Sequence, residues 1–355
     1  MSSADLSKGL VTQSGGLATP YVSMSDEEAV ALAGAHFGIR GDVTRFATEK
    51  DDTWRLESPD GRHYVLKVSN PSEDTSEISF QCALLQHVAT VDPLFPVPRL
   101  ILDPSGRAHF AVTDRAGQQR QVRLMTYLMG TPLDQTHCSP NERERVGEML
   151  ARLRLATAGF CHVADDRVLA WDVRHLSSLH HLLENVTDRN QRRSLATGLE
   201  RFAMQESKIT RLRRQVLHND FSKSNIVVDH ACPEFVTGII DFGDAVRTAV
   251  AIDVSTALLN QLPCHARNRP HDDLFLEGRD ILRGYLRIAD LTDEELALIP
   301  HLTMGRIVAR ALLTLWRARL FPSNAAYILR NTAQGWAQLD WFLTRSVADV
   351  SAALL

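Results

Sequence analysis

His218-Asn-Asp-Phe-Ser-Lys-Ser-Asn225, followed closely by Ile239-Ile-Asp-Phe-Gly-Asp244, is the stretch whose reading decides this chain. Asp220 is a carboxylate placed to orient an attacking hydroxyl. Asn225 and Asp241 are hard oxygen donors of the kind that hold a small divalent cation. Between them, Asn225-Ile-Val-Val-Asp229 and Phe235-Val-Thr-Gly-Ile-Ile240 are short β-branched runs around the turn His230-Ala-Cys-Pro-Glu234. Antiparallel pairing sets the start of the first strand beside the end of the second, so Asn225 and Asp241 converge.

The spacing H-x-D-x-x-x-x-N followed by Asp-Phe-Gly is that of a kinase catalytic loop and metal segment. Asp220 reads as the catalytic base, with Asn225 and Asp241 as Mg²⁺ ligands. Such chemistry also needs a cation for the nucleotide phosphates. Arg62-His-Tyr-Val-Leu-Lys-Val68 follows the turn Ser58-Pro-Asp-Gly61 and the strand-like Thr53–Glu57. Alternation puts Tyr64, Leu66 and Val68 on one face and His63, Val65 and Lys67 on the other. Lys67 is thus aimed out of the sheet beside an apolar neighbour, as a lysine over a nucleotide site would be.

These strings resemble the aminoglycoside phosphotransferase and choline kinase superfamily, and within it hydroxylysine kinases and related amino-alcohol kinase domains. The resemblance runs from about Ser25 to about Phe342. Tyr64–Asn70, Pro96-Val-Pro98, Leu169-Ala-Trp-Asp172, the two catalytic strings and Asn324–Ile328 carry it. It implies an α+β, bilobal protein-kinase-like fold, with an antiparallel-sheet N-lobe and a mainly helical C-lobe. The expected division is 1–124 for the N-lobe, 125–130 for a hinge and 131–355 for the C-lobe. Met125, Tyr127 and Leu128 of the hinge would line the adenine slot. The implied activity is transfer of the ATP γ-phosphoryl group to a hydroxyl, with ATP and Mg²⁺ as cofactors.

Three departures from the superfamily pattern stand out. Thr48–Thr53, before the lysine strand, contains no glycine. Asn219 stands where many relatives have glycine. The partner of Lys67 is ambiguous: Gln81 occupies the usual glutamate position by alignment, and Glu77 lies one helical turn earlier on the same face.

The 355 residues suffice for two lobes with separate cores. With 39 Lys+Arg against 43 Asp+Glu, the net charge of −4 argues against a nucleic-acid partner. Cys82, Cys138, Cys161, Cys232 and Cys264 lack CxxC spacing, which fits reduced thiols in a cytoplasmic protein. The pairs Cys161-His162 and Cys264-His265 have no companions at metal-site spacing. No leader pattern opens the chain and no segment reads as a membrane span, so no membrane partner is expected.

Residues 1–22 read as a draped arm. Ser25-Asp-Glu-Glu28 starts a helix running toward Gly38, and a second helix covers roughly Asp74–Ala89. Ser139-Pro-Asn-Glu142 opens another, whose Val146, Met149, Leu150 and Leu153 are core. Val250–Leu262 reads as a buried helix whose Asp253 bonds the catalytic-loop backbone, and His218 reads as holding that loop. Two further helices are expected, one from Thr292 and one over Arg306–Arg319. The long interval between Lys67 and Asp220 leaves room for a helical acceptor subdomain around 140–215. No Ala-Pro-Glu follows Asp-Phe-Gly, so no protein-kinase activation loop is expected.

The partner expected is a small molecule bearing a hydroxyl and an amine. Asp244 lies near the transferred group and suits an ammonium. By resemblance, Trp171 and Asp172 fold over the acceptor. Arg310, or its neighbour Arg306, is the cation for an acceptor carboxylate. Aminoglycoside, homoserine, choline and sugar acceptors are the alternatives, together with a catalytically silent nucleotide-binding module.

Overall fold

The computed structural model describes residues 21–48, 51–263 and 273–355. Most of the N-terminal arm, the centre of the 48–53 loop and the Cys264-His265 pair therefore lie outside the described residues.

The first part of the chain runs α1 (Asp26–Phe37), β1 (Asp42–Arg45), β2 (Asp52–Glu57), β3 (His63–Val68), α2 (Thr75–Val91), β4 (Leu100–Ile101), β5 (Phe110–Thr113) and β6 (Gln119–Thr126). These strands form one antiparallel sheet in the order β1-β2-β3-β6-β4, with β5 also on β6. The Ser25 hydroxyl accepts from the Glu28 amide and Gly38 closes α1 with a φ of 68°. Glu28 does not reach back to complete a capping box; its carboxylate accepts instead from the Arg115 amide across the β5–β6 turn.

Alternation along β3 is as the residues dictate. Tyr64, Leu66 and Val68 are buried with Trp54, Leu56, Val122 and Leu124 beneath Ala29, Leu32 and Ala33 of α1. Lys67 stays on the opposite face. There α2 lies, but its apolar stripe (Phe80, Leu84, Leu85, Val88) belongs to the large core of the helical part rather than to the sheet's own.

The rest is mainly helical: β7 (Thr131–Pro132), α3 (Pro140–Ala156), a 3₁₀ segment over Val173–Asn185, α4 (Arg189–Ala203), α5 (Glu206–Ile209), β8 (Arg214–Leu217), β9 (Ile226–Val228), β10 (Val236–Ile239), β11 (Val246–Ala249), α6 (Val250–Leu259), α7 (Gly278–Ile288), α8 (Asp293–Leu320), α9 (Ala325–Leu329), α10 (Thr332–Leu343) and α11 (Val347–Ser351). The capping boxes at Ser139 and Thr292 both form. β9 pairs antiparallel with β10 and with β7, and β8 with β11.

Two corrections concern α8. The expected pair of helices is one 28-residue helix, continuous through the buried Pro300. The missing amide costs one backbone bond, and burial on all sides outweighs it. This helix is also long and apolar enough to cross a membrane by length and composition, contrary to the sequence reading. Its apolar window is 83% buried inside the protein, which makes it a core helix.

The hairpin is tied to chain on both sides of the sheet: the Ile239 amide donates to Pro96 O (2.8 Å) ahead of β4, and Thr237 Oγ1 donates to Met129 O (2.9 Å) beyond β6. Between α3 and α7 the backbones nearly touch. A Cβ on Gly147 would stand 1.9 Å from Ile281 O, and one on Gly284 1.9 Å from Glu144 O. Gly147→Ala is expected to destabilise the protein by about 2–3 kcal/mol, read as a lower urea midpoint at unchanged slope.

Candidate active site

The sheet and the helical part enclose a cleft of about 1520 Å³, lined by Lys67, Gln81, Trp171, Asp220, Asn225, Asp241, Asp244, Arg306 and Arg310 among others. Asn225 and Asp241, which flank the β9–β10 hairpin, both line it. The Ile240 amide donates to Asn225 O at 2.9 Å, which places Asp241 next to Asn225. Asn225 Nδ2 donates to Asp220 Oδ2 (2.8 Å) and to Asp220 O (3.0 Å). With the amide nitrogen so engaged, the Asn225 oxygen is turned away from Asp220. Asp241 accepts from Gly243 N, and its Oδ1 lies 3.4 Å from Lys67 Nζ. The three side chains of the sequence motif and the strand lysine therefore share one neighbourhood. Asn225 and Asp241 supply hard oxygens at one end of the cleft, a donor set that fits Mg²⁺.

The backbone here is unusual. Asn219 and Asp241 have φ of 60° and 62°, left-handed conformations that glycine adopts freely and Asn and Asp tolerate best. Asn219 in place of the usual glycine is thus compatible with the loop. Asp253 on α6 accepts from the Asn219 amide at 2.8 Å. His218 Nε2 donates to Ile240 O (3.0 Å), while its Nδ1 accepts from the Asp220 amide (3.3 Å). Both residues brace the loop from behind.

Asp220 is pushed up to about 7, first by burial and then by Asp244; Arg306 opposes the rise, Asp241 adds to it, and the Asn225 bond lowers it. Its side chain nonetheless keeps a third of its surface open to the cleft. Burial also pushes Asp253 up.

The other expected site residues are placed less uniformly. Gln81 lines the cleft but accepts from Arg123 Nη2 (2.9 Å), and Glu77 pairs with Arg167 (2.8 Å), so neither is bonded to Lys67. Trp171 faces the cleft, with the Arg306 guanidinium 5.6 Å from its ring centre. Asp172 is a correction: it is fully buried, caps the 3₁₀ segment by accepting from the Arg174 amide, and bonds Thr248 Oγ1 at 3.0 Å. It does not face an acceptor. Asp244 and Arg310 line the cleft, and Arg310 donates to Gln338. Met125, Tyr127 and Leu128 are not part of this cleft wall. Met125 is still in β6, paired with Val65 and Leu100, and Tyr127 stacks on Phe46.

Two arginines escaped the sequence reading in their actual parts. Arg306 donates to Trp171 O and to Asn219 O and lies 3.7 Å from Asp220 Oδ1. Arg167 donates to Gly243 O (2.6 Å) and Ala245 O (2.8 Å). An arginine on a helix (Arg306) or in a polar loop (Arg167) looks like any other surface cation in sequence, so no local signal marked either one.

Comparison with known proteins agrees with this geometry. Residues 42–298 match the phosphotransferase enzyme family. The chain belongs to that family. A hydroxylysine kinase of Mus musculus is 23% identical over 94% of this chain and 93% of its own length. A homoserine kinase of Mesorhizobium japonicum is 27% identical over 68% of this chain and 70% of its own. Among solved structures, a microcompartment-associated aminopropanol kinase superposes with a TM-score of 0.69 at 18% identity, covering 88% of this chain and 96% of that one. A spectinomycin phosphotransferase in complex with ADP and spectinomycin gives 0.63 at 12% identity, covering 94% and 99%. The bilobal α+β fold is therefore that of the kinase-like phosphotransferases.

The raised Asp220 has a consequence for stability. In the folded protein it keeps a proton that the unfolded chain, near pKa 3.9, gives up. Its contribution is complete below about pH 4 and is lost as pH rises through about 7. Asp220→Asn is expected to raise Tm by about 2 °C at pH 8 in metal- and nucleotide-free buffer. The gain should shrink as pH is lowered toward 4; a scan showing no gain at pH 8 would contradict this account.

Proposed function

We propose that this ATP-dependent phosphotransferase acts on the hydroxyl of a small amino acid or amino alcohol, with hydroxylysine or a near relative as acceptor. The observation carrying the reading is the shared position of Lys67, Asp220, Asn225 and Asp241 in one cleft that is also lined by several arginines. Its arginine-bearing side comes from α8 and its neighbours and presents Arg306, Arg310, Arg317 and Arg330. Beside it stand the carboxylates Asp220 and Asp244. A zwitterion suits such a surface, with its amine toward Asp244 and its carboxylate toward Arg310. A polycationic aminoglycoside suits it poorly. Relatives that phosphorylate hydroxylysine and homoserine support the same acceptor class.

In this mechanism Asp220 orients the acceptor hydroxyl through Oδ1, because Oδ2 is held by Asn225. The hydroxyl oxygen bonds to the γ-phosphorus, its proton passes to Asp220, and the bond from phosphorus to the β,γ-bridging oxygen breaks to release ADP. Lys67 steadies the phosphates. Asn225 and Asp241 would hold Mg²⁺, which neutralises phosphate charge when bound. Arg306 fixes the Asp220 loop by bonding Asn219 O. Positioning and charge neutralisation supply most of the rate.

Purified protein with ATP and Mg²⁺ should release ADP fastest with hydroxylated amino acids, when screened beside amino alcohols, sugars and aminoglycosides. Turnover with none of them would favour a silent nucleotide-binding module. Asp220→Ala should lower kcat by about 10³-fold while nucleotide affinity, measured by calorimetry, stays close to wild type. Arg310→Met should raise KM about tenfold for an amino-acid acceptor. An acceptor lacking the carboxylate should be unaffected, and an equal change for both would remove Arg310 from carboxylate binding.

A further inference from the structure

In this cleft the strand lysine has no glutamate: Lys67 lies against Asp241, Gln81 serves Arg123, and Glu77 is turned toward Arg167. Arg167 comes from the loop ahead of the 3₁₀ segment, and its side chain is 92% buried. Its Nη1 donates to Glu77 Oε2 in the first turn of α2 (2.8 Å). Its Nη2 donates to Gly243 O (2.6 Å) and Ala245 O (2.8 Å), two and four residues beyond Asp241. The guanidinium also lies 5.3 Å from the Phe80 ring centre on α2. The loop that carries it is fixed in turn. Asp165 pairs with Arg247 of β11 at 2.6 Å, and Asp165 O accepts from the Arg247 amide at the same distance.

We propose that Arg167 is a positioning residue that clasps α2 to the Asp241 segment and so sets where the Asp241 carboxylate presents itself to nucleotide-bound metal. The inference rests on the phosphotransferase reading and extends it to a residue with no role in the motif. Asp241 needs such help. It sits in a left-handed conformation at the start of a single 3₁₀ turn (Phe242–Asp244), with about half its side chain exposed. The turn itself is closed by the Ala245 amide donating to Phe242 O at 3.2 Å. Within that turn Phe242 is anchored by packing on His218, at 4.7 Å between ring centres, and Arg167 supplies the charged donors to the carbonyls that follow. A guanidinium presents a rigid fork that serves one carboxylate and two carbonyls at once, which a lysine ammonium on a flexible stem does less well. Support of this kind behind a metal ligand is typically worth 10–100-fold in metal affinity or activity.

The test is calorimetric titration of the full chain with AMP-PNP, with and without Mg²⁺, for wild type, Arg167→Met, Arg167→Lys and Glu77→Gln. Arg167→Met should lose about tenfold or more of the tightening that Mg²⁺ gives, with affinity in the absence of Mg²⁺ within about twofold of wild type. Arg167→Lys should fall between the two and serves if the methionine variant does not fold. Glu77→Gln, which leaves the carbonyl bonds intact, should lose less than Arg167→Met. In turnover the loss should appear in kcat and in the Mg²⁺ concentration for half-maximal rate, with acceptor KM little changed. Wild-type Mg²⁺ tightening in both arginine variants, even at lowered Tm, would make Arg167 a purely structural residue and overturn the proposal. Absence of AMP-PNP binding by wild type would overturn the phosphotransferase reading itself, and the clasp with it.

Discussion

Three carboxylates in one cleft, Asp220, Asp241 and Asp244, set the constraint on which this structure turns. Like charges sharing one partly buried cleft repel, and Asp244 and Asp241 both act on Asp220 in this way. Lys67 on the sheet side and Arg306 on the helical side oppose this from the two ends. The rise of Asp220 to about 7 reflects the same crowding added to burial. A folded chain would ordinarily relax such an arrangement by moving the carboxylates apart. Here it is prevented from doing so, because the backbone carrying them is held from behind.

The restraint is built from buried polar groups, each used on loop geometry. Asp253 takes the Asn219 amide, His218 spans Ile240 O and the Asp220 amide, and Arg306 takes Asn219 O. Asn219 and Asp241 are held in left-handed conformations that cost non-glycine residues energy. Burying these groups is worthwhile only if the resulting positions matter. A protein selected for stability alone would sooner fill such places with apolar side chains. The cleft is thus a region where stability is given up for the placement of charge.

What could be read from the sequence was local or periodic. The H-x-D-x-x-x-x-N and Asp-Phe-Gly strings, the alternation that aims Lys67, and the caps at Ser25, Ser139 and Thr292 all depend on neighbours within a few residues. The hairpin needed only its two short runs and a turn. Other features depend on partners far along the chain. Arg167 meets Glu77 and Gly243, and Arg306 meets Trp171 and Asn219, through contacts that no spacing encodes. Asp172 was misplaced for a related reason. A carboxylate next to a tryptophan looks like a binding pair, but the chain turns there, so Trp171 faces the cleft while Asp172 caps the following segment. The helices expected from Thr292 and over Arg306–Arg319 are one continuous helix, because burial of its middle holds it together through Pro300 despite the low helix propensity of proline.

Chain order and packing divide the molecule differently. By order, α2 belongs with the strands on either side of it. By packing, Phe80, Leu84, Leu85 and Val88 are part of the large core with α3 and the helices beyond, while the sheet has a separate core under α1. The polar contacts follow the same line: Arg167 ties α2 to the segment after Asp241, whereas the sheet reaches α2 from Arg123 to Gln81. A neutral amide is a weaker acceptor for a guanidinium than a carboxylate. The sheet's bonds to α2, from Arg123 to Gln81 and from Gln121 Nε2 to Thr75 Oγ1 (3.4 Å), are thus made to neutral acceptors, whereas the bond from Arg167 is made to a carboxylate. The glutamine at position 81 then has a physical sense, since it leaves Lys67 to Asp241 while α2 stays with the segment that follows Asp241.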